Sequence, residues 1–208
     1  LEQLKIAPVE RMKALDRQVS EGLNRLYDYQ HEDGGWGWWK TDENHPFMTA
    51  YAVYGLVEAR RAGYRVDQWR LSNGVRALRR LYREYPAAVP ELKAYETWVL
   101  LLAEQAGIDA GYEENGPAWT AAAALDELWA ARSRMNAYGQ SLLVLALDLA
   151  KDPRGSDAAR DLEAGVTRKG DLAWWTSERD PLLFDAVDTG VEATAFAVKA
   201  LAARDPKH

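Results

Sequence analysis

The chain has 208 residues, 48% hydrophobic and 28% charged, which supplies enough apolar surface for one buried core, and a single domain spanning residues 1–208 is expected. Its net charge of -6, with the basic residues spread along the chain, excludes the cationic face that phosphate tracking needs, so no nucleic acid is expected as a partner. The lack of cysteine excludes disulfides, thiolate metal sites and a cysteine nucleophile within these residues, and the longest apolar run, Leu142 to Leu147, falls far short of the roughly 18 residues of a membrane span.

The sequence opens at Leu1 with neither an initiator methionine nor a signal-peptide pattern, so it is expected to be a piece of a longer protein. From about 8 to 30 it reads as a charged, amphipathic helix. A turn follows, Asp33-Gly34-Gly35-Trp36-Gly37-Trp38-Trp39, in which paired glycines permit backbone angles closed to other residues. The segment 47–62 is apolar nearly all round and ends toward Gly63. An amphipathic stretch over 67–84 starts at Asp67, a good first-turn acid; 91–106 is again apolar and stops before Gly107. The alternation continues with an amphipathic 117–132, where Pro117 suits a first helical position, an apolar 135–150, an amphipathic 154–168 and an apolar 189–203.

Each apolar segment carries an alanine followed by an aromatic near its start: Ala50-Tyr51, Ala94-Tyr95, Ala137-Tyr138 and Ala195-Phe196. A helix apolar on all sides is buried on all sides, whereas a one-striped helix keeps a wet face. The four apolar helices should therefore lie inside and the amphipathic ones outside, as four helical hairpins. The expected fold is all-α, an α/α toroid with inner and outer helices that is incomplete at one or both ends. No alternating β-branched runs flanked by hairpin turns support strands.

Sites with chemistry are few. His31 and His45 have no metal-ligand spacing, and Ser141 and Ser177 lack a nucleophile elbow, so no catalytic, cofactor-binding or metal-ligating residue is assigned. Trp36, Trp38 and Trp39 beside Glu32, Asp33, Asp42 and Glu43 offer the alternative of a catalytic toroid acting on glycans, because stacking platforms and paired carboxylates are what glycoside hydrolysis uses. The segment from Gln30 to Trp36 also looks like the Gln-Trp repeat of triterpene cyclases, but the Asp-x-Asp-Asp acid of those enzymes is missing from the sequence. A long inter-helix segment holds Trp174 and Trp175 with Asp180, Asp185 and Asp188, and segments of that length are commonly functional. Trp36, Trp38, Trp39, Trp174 and Trp175 are thus the candidate contact residues, toward a neighbouring domain or a ligand.

Residues 23 to 58 carry a longer composite pattern: Tyr27-x-Tyr29-Gln30, the Gly34-Gly35-Trp36 turn, then Thr49-Ala50-Tyr51. Together with Ala173-Trp174-Trp175 and the run from Val191 to Ala197, it resembles the thioester domain of bacterial α-2-macroglobulins, which are broad-spectrum, non-enzymatic protease traps. The resemblance implies a structural and interaction domain of a periplasmic or cell-envelope protein. Its partners would be the other domains of that parent and, through the parent, target proteases. A thioester joins a cysteine to a glutamine in a Cys-x-Glu-Gln motif, and this chain has no cysteine. Leu1-Glu2-Gln3 reads as an ordinary inter-helix stretch, since the family places about one more helix between its motif and the Gly-Gly-Trp turn. Some members carry a histidine that steers the acyl group to hydroxyls; the stretch Tyr85 to Glu91 has none, which implies a preference for amines.

Overall fold

The computed structural model describes residues 8–85, 89–111, 118–177 and 189–204, with side chains from residue 14 onward. The expectations for Leu1-Glu2-Gln3, Pro117 and Asp180 to Asp188 lie outside these residues. Eight α-helices follow one another in the described chain: α1 Pro8–Tyr29, α2 Pro46–Arg61, α3 Gln68–Glu84, α4 Pro90–Gln105, α5 Ala121–Ala131, α6 Ala137–Leu149, α7 Gly155–Ala164 and α8 Gly190–Arg204. Among the described residues the chain is all-α apart from one small hairpin.

Local chemistry sets the boundaries. Pro46 and Pro90 occupy first-turn positions, where a missing N–H costs nothing. Asp67, Thr120 and Asn136 cap α3, α5 and α6, each side chain accepting a backbone N–H three residues on, at 3.0, 3.3 and 3.0 Å. Helix α2 stops at a glycine in the left-handed region, Gly63 (φ 89°), with Tyr64 N–H donating back to the Ala59 carbonyl at 3.0 Å.

One boundary and one element differ from expectation. The amphipathic pattern over 154–168 suggested helix throughout, but α7 ends at Ala164, followed by Gly165. The next residues form an antiparallel pair, β1 Thr167–Lys169 and β2 Leu172–Trp174, turned at Gly170 (φ 59°). Strands of three residues are too short to show alternation, which is why the sequence offered no support for them.

The even-numbered helices form an inner row, α2 beside α4, α4 beside α6, α6 beside α8, and the others cover it from outside. Every residue of α4 from Glu91 to Ala103 is buried, and in α6 Tyr138, Gly139 and the whole of Ser141 to Leu147 are buried. Outer helix α3 buries the stripe Leu71, Val75, Leu78 and Tyr82 that its periodicity announces. Each buried leucine contributes on the order of 1.5–3 kcal/mol by leaving water. The row curves. At about 8–10 Å per helix a flat row would hold α2 and α8 roughly 25–30 Å apart. Instead the Lys199 ammonium of α8 reaches to 5.8 Å from the Tyr54 ring of α2.

As end members of the row, α2 and α8 are less covered than the sequence suggests: Tyr51 on α2 and Val191 and Val198 on α8 are exposed. Between α4 and its outer cover lies a charged layer. Lys93 donates to the Tyr82 carbonyl and sits over the Tyr82 ring, and the Tyr82 hydroxyl donates to Glu127 at 3.0 Å. Glu96, fully buried beside them, has no hydrogen-bond partner for either carboxylate oxygen. Desolvation pushes its carboxyl up to about 8, with Lys93 pulling down and Glu127 adding to the rise.

Candidate functional site: the tryptophan turns

The turn between α1 and α2 is assembled around Trp36. Its indole N–H donates to the Leu26 carbonyl in α1 at 2.8 Å. Its backbone N–H donates to Thr49 Oγ1 at 3.0 Å, and that hydroxyl returns a bond to the Trp36 carbonyl at 3.0 Å. The Trp36 ring is buried against Gly74 of α3, where an added Cβ would come within 2.9 Å of it. Gly34 (φ 92°) is required twice over, because a side chain there would also meet the Asn73 carbonyl oxygen at 2.6 Å. Gln30 ties the turn to the outer layer, donating to the Gly34 and Arg70 carbonyls at 3.0 and 2.9 Å.

Trp175 repeats this arrangement before α8. Its indole N–H donates to the Leu162 carbonyl in α7 at 2.8 Å; its backbone N–H donates to Thr194 Oγ1 at 3.0 Å, and Thr194 bonds back to the Trp175 carbonyl at 3.3 Å. The first and last hairpins of the described chain thus share one clamp, joining an outer helix, a tryptophan and the start of an inner helix. Thr49 and Thr194 entered the sequence patterns without a role; the available signal is that each directly precedes one of the Ala-aromatic pairs.

The five candidate tryptophans therefore separate. Trp36 and Trp175 are interior pegs, 3% and 5% exposed, and Trp174 is half-buried at the end of β2. Trp38 and Trp39 face solvent at 49% and 71%. Their backbone is fixed despite that exposure. The Asp42 carboxylate accepts the backbone N–H groups of both, at 2.7 and 3.1 Å, and His31 Nε2 donates to the Trp39 carbonyl at 3.0 Å while its Nδ1 lies 2.9 Å from Asn44 Oδ1. His45, at the N-cap of α2, packs its ring 5.6 Å from that of Trp38, and burial lowers its pKa.

Two of the four acids beside these rings, Asp33 and Asp42, are committed to structure, whereas Glu32 and Glu43 are exposed. Asp42 is used as above, and Asp33 accepts from Gly35 N–H at 3.3 Å, Asn44 at 2.6 Å and Arg80 at 2.6 Å. Among the described residues no cluster of His, Asp or Glu could hold a metal ion, and no helix is long and apolar enough to cross a membrane.

The fold and the clamp define a class: an all-α scaffold of inner and outer helices that displays a rigid aromatic turn. No protein-family model matches the sequence. A stretch of 78 residues, 38% of the chain, is 41% identical to the α-2-macroglobulin of Thermotoga maritima, of whose length it spans 5%. Among solved structures, native α-2-macroglobulin from Escherichia coli, spanning domain MG7 to the C-terminus, aligns over 92% of this chain and 29% of its own with a TM-score of 0.64 and 22% identity. Salmonella α-2-macroglobulin reacted with methylamine aligns over 87% of this chain and 11% of its own, with a TM-score of 0.61 and 18% identity. The chain is thus similar to part of bacterial α-2-macroglobulins, in sequence over that stretch and in fold over most of its length.

Proposed function

We propose that the chain is a structural and interaction domain of a bacterial, extracytoplasmic α-2-macroglobulin-like protein that traps proteases of broad specificity. In this reading it is an arc of the α/α toroid of a thioester domain, with no catalytic, cofactor or metal residues of its own. The reactive cysteine, if the parent has one, lies outside these residues, since the chain has none. The sequence likeness to one bacterial α-2-macroglobulin and the fold shared with two others support the family role.

The observation that carries the interaction role is the Trp38-Trp39 pair, solvent-facing yet fixed at both backbone N–H groups by Asp42. Large rings carried on a fixed backbone lose less entropy on docking than rings on a mobile loop, as good interface anchors require. The partner is taken to be a neighbouring domain of the parent. In the full-length parent, replacing both rings (Trp38→Ala with Trp39→Ala) should leave the helical content unchanged while loosening the domain, read as faster proteolytic release and weaker protease capture. Unchanged capture and unchanged release would sink the reading. The absence of histidine from Tyr85 to Glu91 adds a second check: a thioester in the parent should couple to amines, and stable glycerol esters would contradict that.

A further inference from the structure

Lys199 lies on the inside of the curved row. Its Nζ is 4.6 Å from the ring centroid of Trp98, 5.6 Å from that of Phe196 and 5.8 Å from that of Tyr54. The three rings come from α4, α8 and α2 and touch one another: Tyr54 lies 5.0 Å from Trp98, and Trp98 meets Phe196 edge to face at 5.9 Å. Three aromatic faces within about 6 Å of one ammonium is the geometry that cation–π attraction rewards.

Charges of both signs act on this ammonium. Glu58 draws the ammonium through space and Arg61 opposes it, and these two are paired with each other at 3.1 Å. Ala62, Gln105 and Leu149, at the C-terminal ends of α2, α4 and α6, border an adjoining cavity of about 600 Å³. Terminal helix carbonyls carry partial negative charge and stabilise positive charge nearby. Burial lowers the pKa of Lys199, in keeping with an ammonium partly withdrawn from water onto the rings.

We infer that Tyr54, Trp98 and Phe196 form an ammonium-binding box with Lys199 as its resident ligand, and that a small alkylammonium ion occupies the box once Lys199 is removed. The box holds α8 to α2 and α4 across the curve of the row by a cation rather than by backbone packing. This goes beyond the trapping role and does not depend on it.

Thermal unfolding of the 208-residue chain tests both halves. Lys199→Met keeps an apolar stem and deletes the charge, and should lower the melting temperature by about 2–4 °C. Lys199→Ala should lose a similar amount and regain part of it in ethylammonium chloride but not in sodium chloride of equal ionic strength, while the wild type responds alike to both salts. In Lys199→Ala the ring protons of Phe196 and Trp98 should shift on titration with ethylammonium. A Lys199→Met variant that melts with the wild type overturns the resident-ligand role. A Lys199→Ala variant on which the two salts act alike overturns the box.

Discussion

Trp36 and Trp175 make the same set of hydrogen bonds at opposite ends of the described helix row: indole to an outer-helix carbonyl, backbone N–H to a threonine hydroxyl, and that hydroxyl back to the tryptophan carbonyl. If the two clamps are equivalent, breaking either should cost the same. Thr49→Val and Thr194→Val each leave the tryptophan N–H unpaired at nearly constant shape, while the Trp36 carbonyl keeps its bond from the His45 N–H at 2.8 Å. Each should destabilise by about 1–3 kcal/mol in urea unfolding. A cost at one site only would show that the shared pattern is geometric without being energetic.

Gly74 should resist even the smallest enlargement. A glycine inside a helix ordinarily gains about 1 kcal/mol on mutation to alanine. At this position the new methyl would sit 2.9 Å from the Trp36 ring and 3.1 Å from Val53 Cγ2, both in the core. Gly74→Ala should therefore lose on the order of 1–3 kcal/mol. The sign of the change in the urea midpoint decides the matter.

The buried Glu96 should make stability fall as pH rises. Its folded carboxyl is pushed up to about 8 by burial, so the folded state holds a proton that the unfolded chain releases in the ordinary carboxylate range. The contribution is complete below that range and is lost as pH climbs through about 8. The charged and titratable groups around it are Lys93 on its own helix, Tyr82 on α3 and Glu127 on α5. Urea midpoints measured from pH 5 to 9 should decline for the wild type and stay flatter for Glu96→Gln, which should be the more stable protein at pH 9. Parallel profiles would refute this.

Trp39 should be silent in stability. Its ring is 71% exposed and none of its side-chain atoms takes part in the hydrogen bonds that fix the turn. Trp39→Ala should stay within about 0.5 kcal/mol of the wild type in the isolated chain. Asp42→Ala, by contrast, removes the acceptor of two backbone N–H groups and should release the turn, seen as faster amide exchange at residues 38 and 39.

The helices and their inner or outer placement were legible because burial on all sides and burial on one side leave different periodicities, as α4 and α3 show. The clamps were not legible. Their acceptors are the main-chain carbonyls of Leu26 and Leu162, which carry no side-chain signature, and the two tryptophans stand at different distances from their threonines. Nor did the sequence reveal the fate of Lys93 and Glu96. A helix read as buried on all sides does not say how two charges within it are accommodated until α3 and α5 are seen to close over them. Asp33 and Asp42 drew attention as possible acids for glycan chemistry, and a carboxylate spent on holding backbone looks the same in sequence as a reactive one.

The spacing of the clamps has a consequence for how such domains diversify. Tryptophan and threonine are separated by 13 residues in the first hairpin and 19 in the last, yet both pairs close with N–H to Oγ1 distances of 3.0 Å. The same clamp thus closes over connections of different length, and a difference in that length costs little more than loop entropy. What a connection presents can differ from one hairpin to the other while the clamp at its base stays the same.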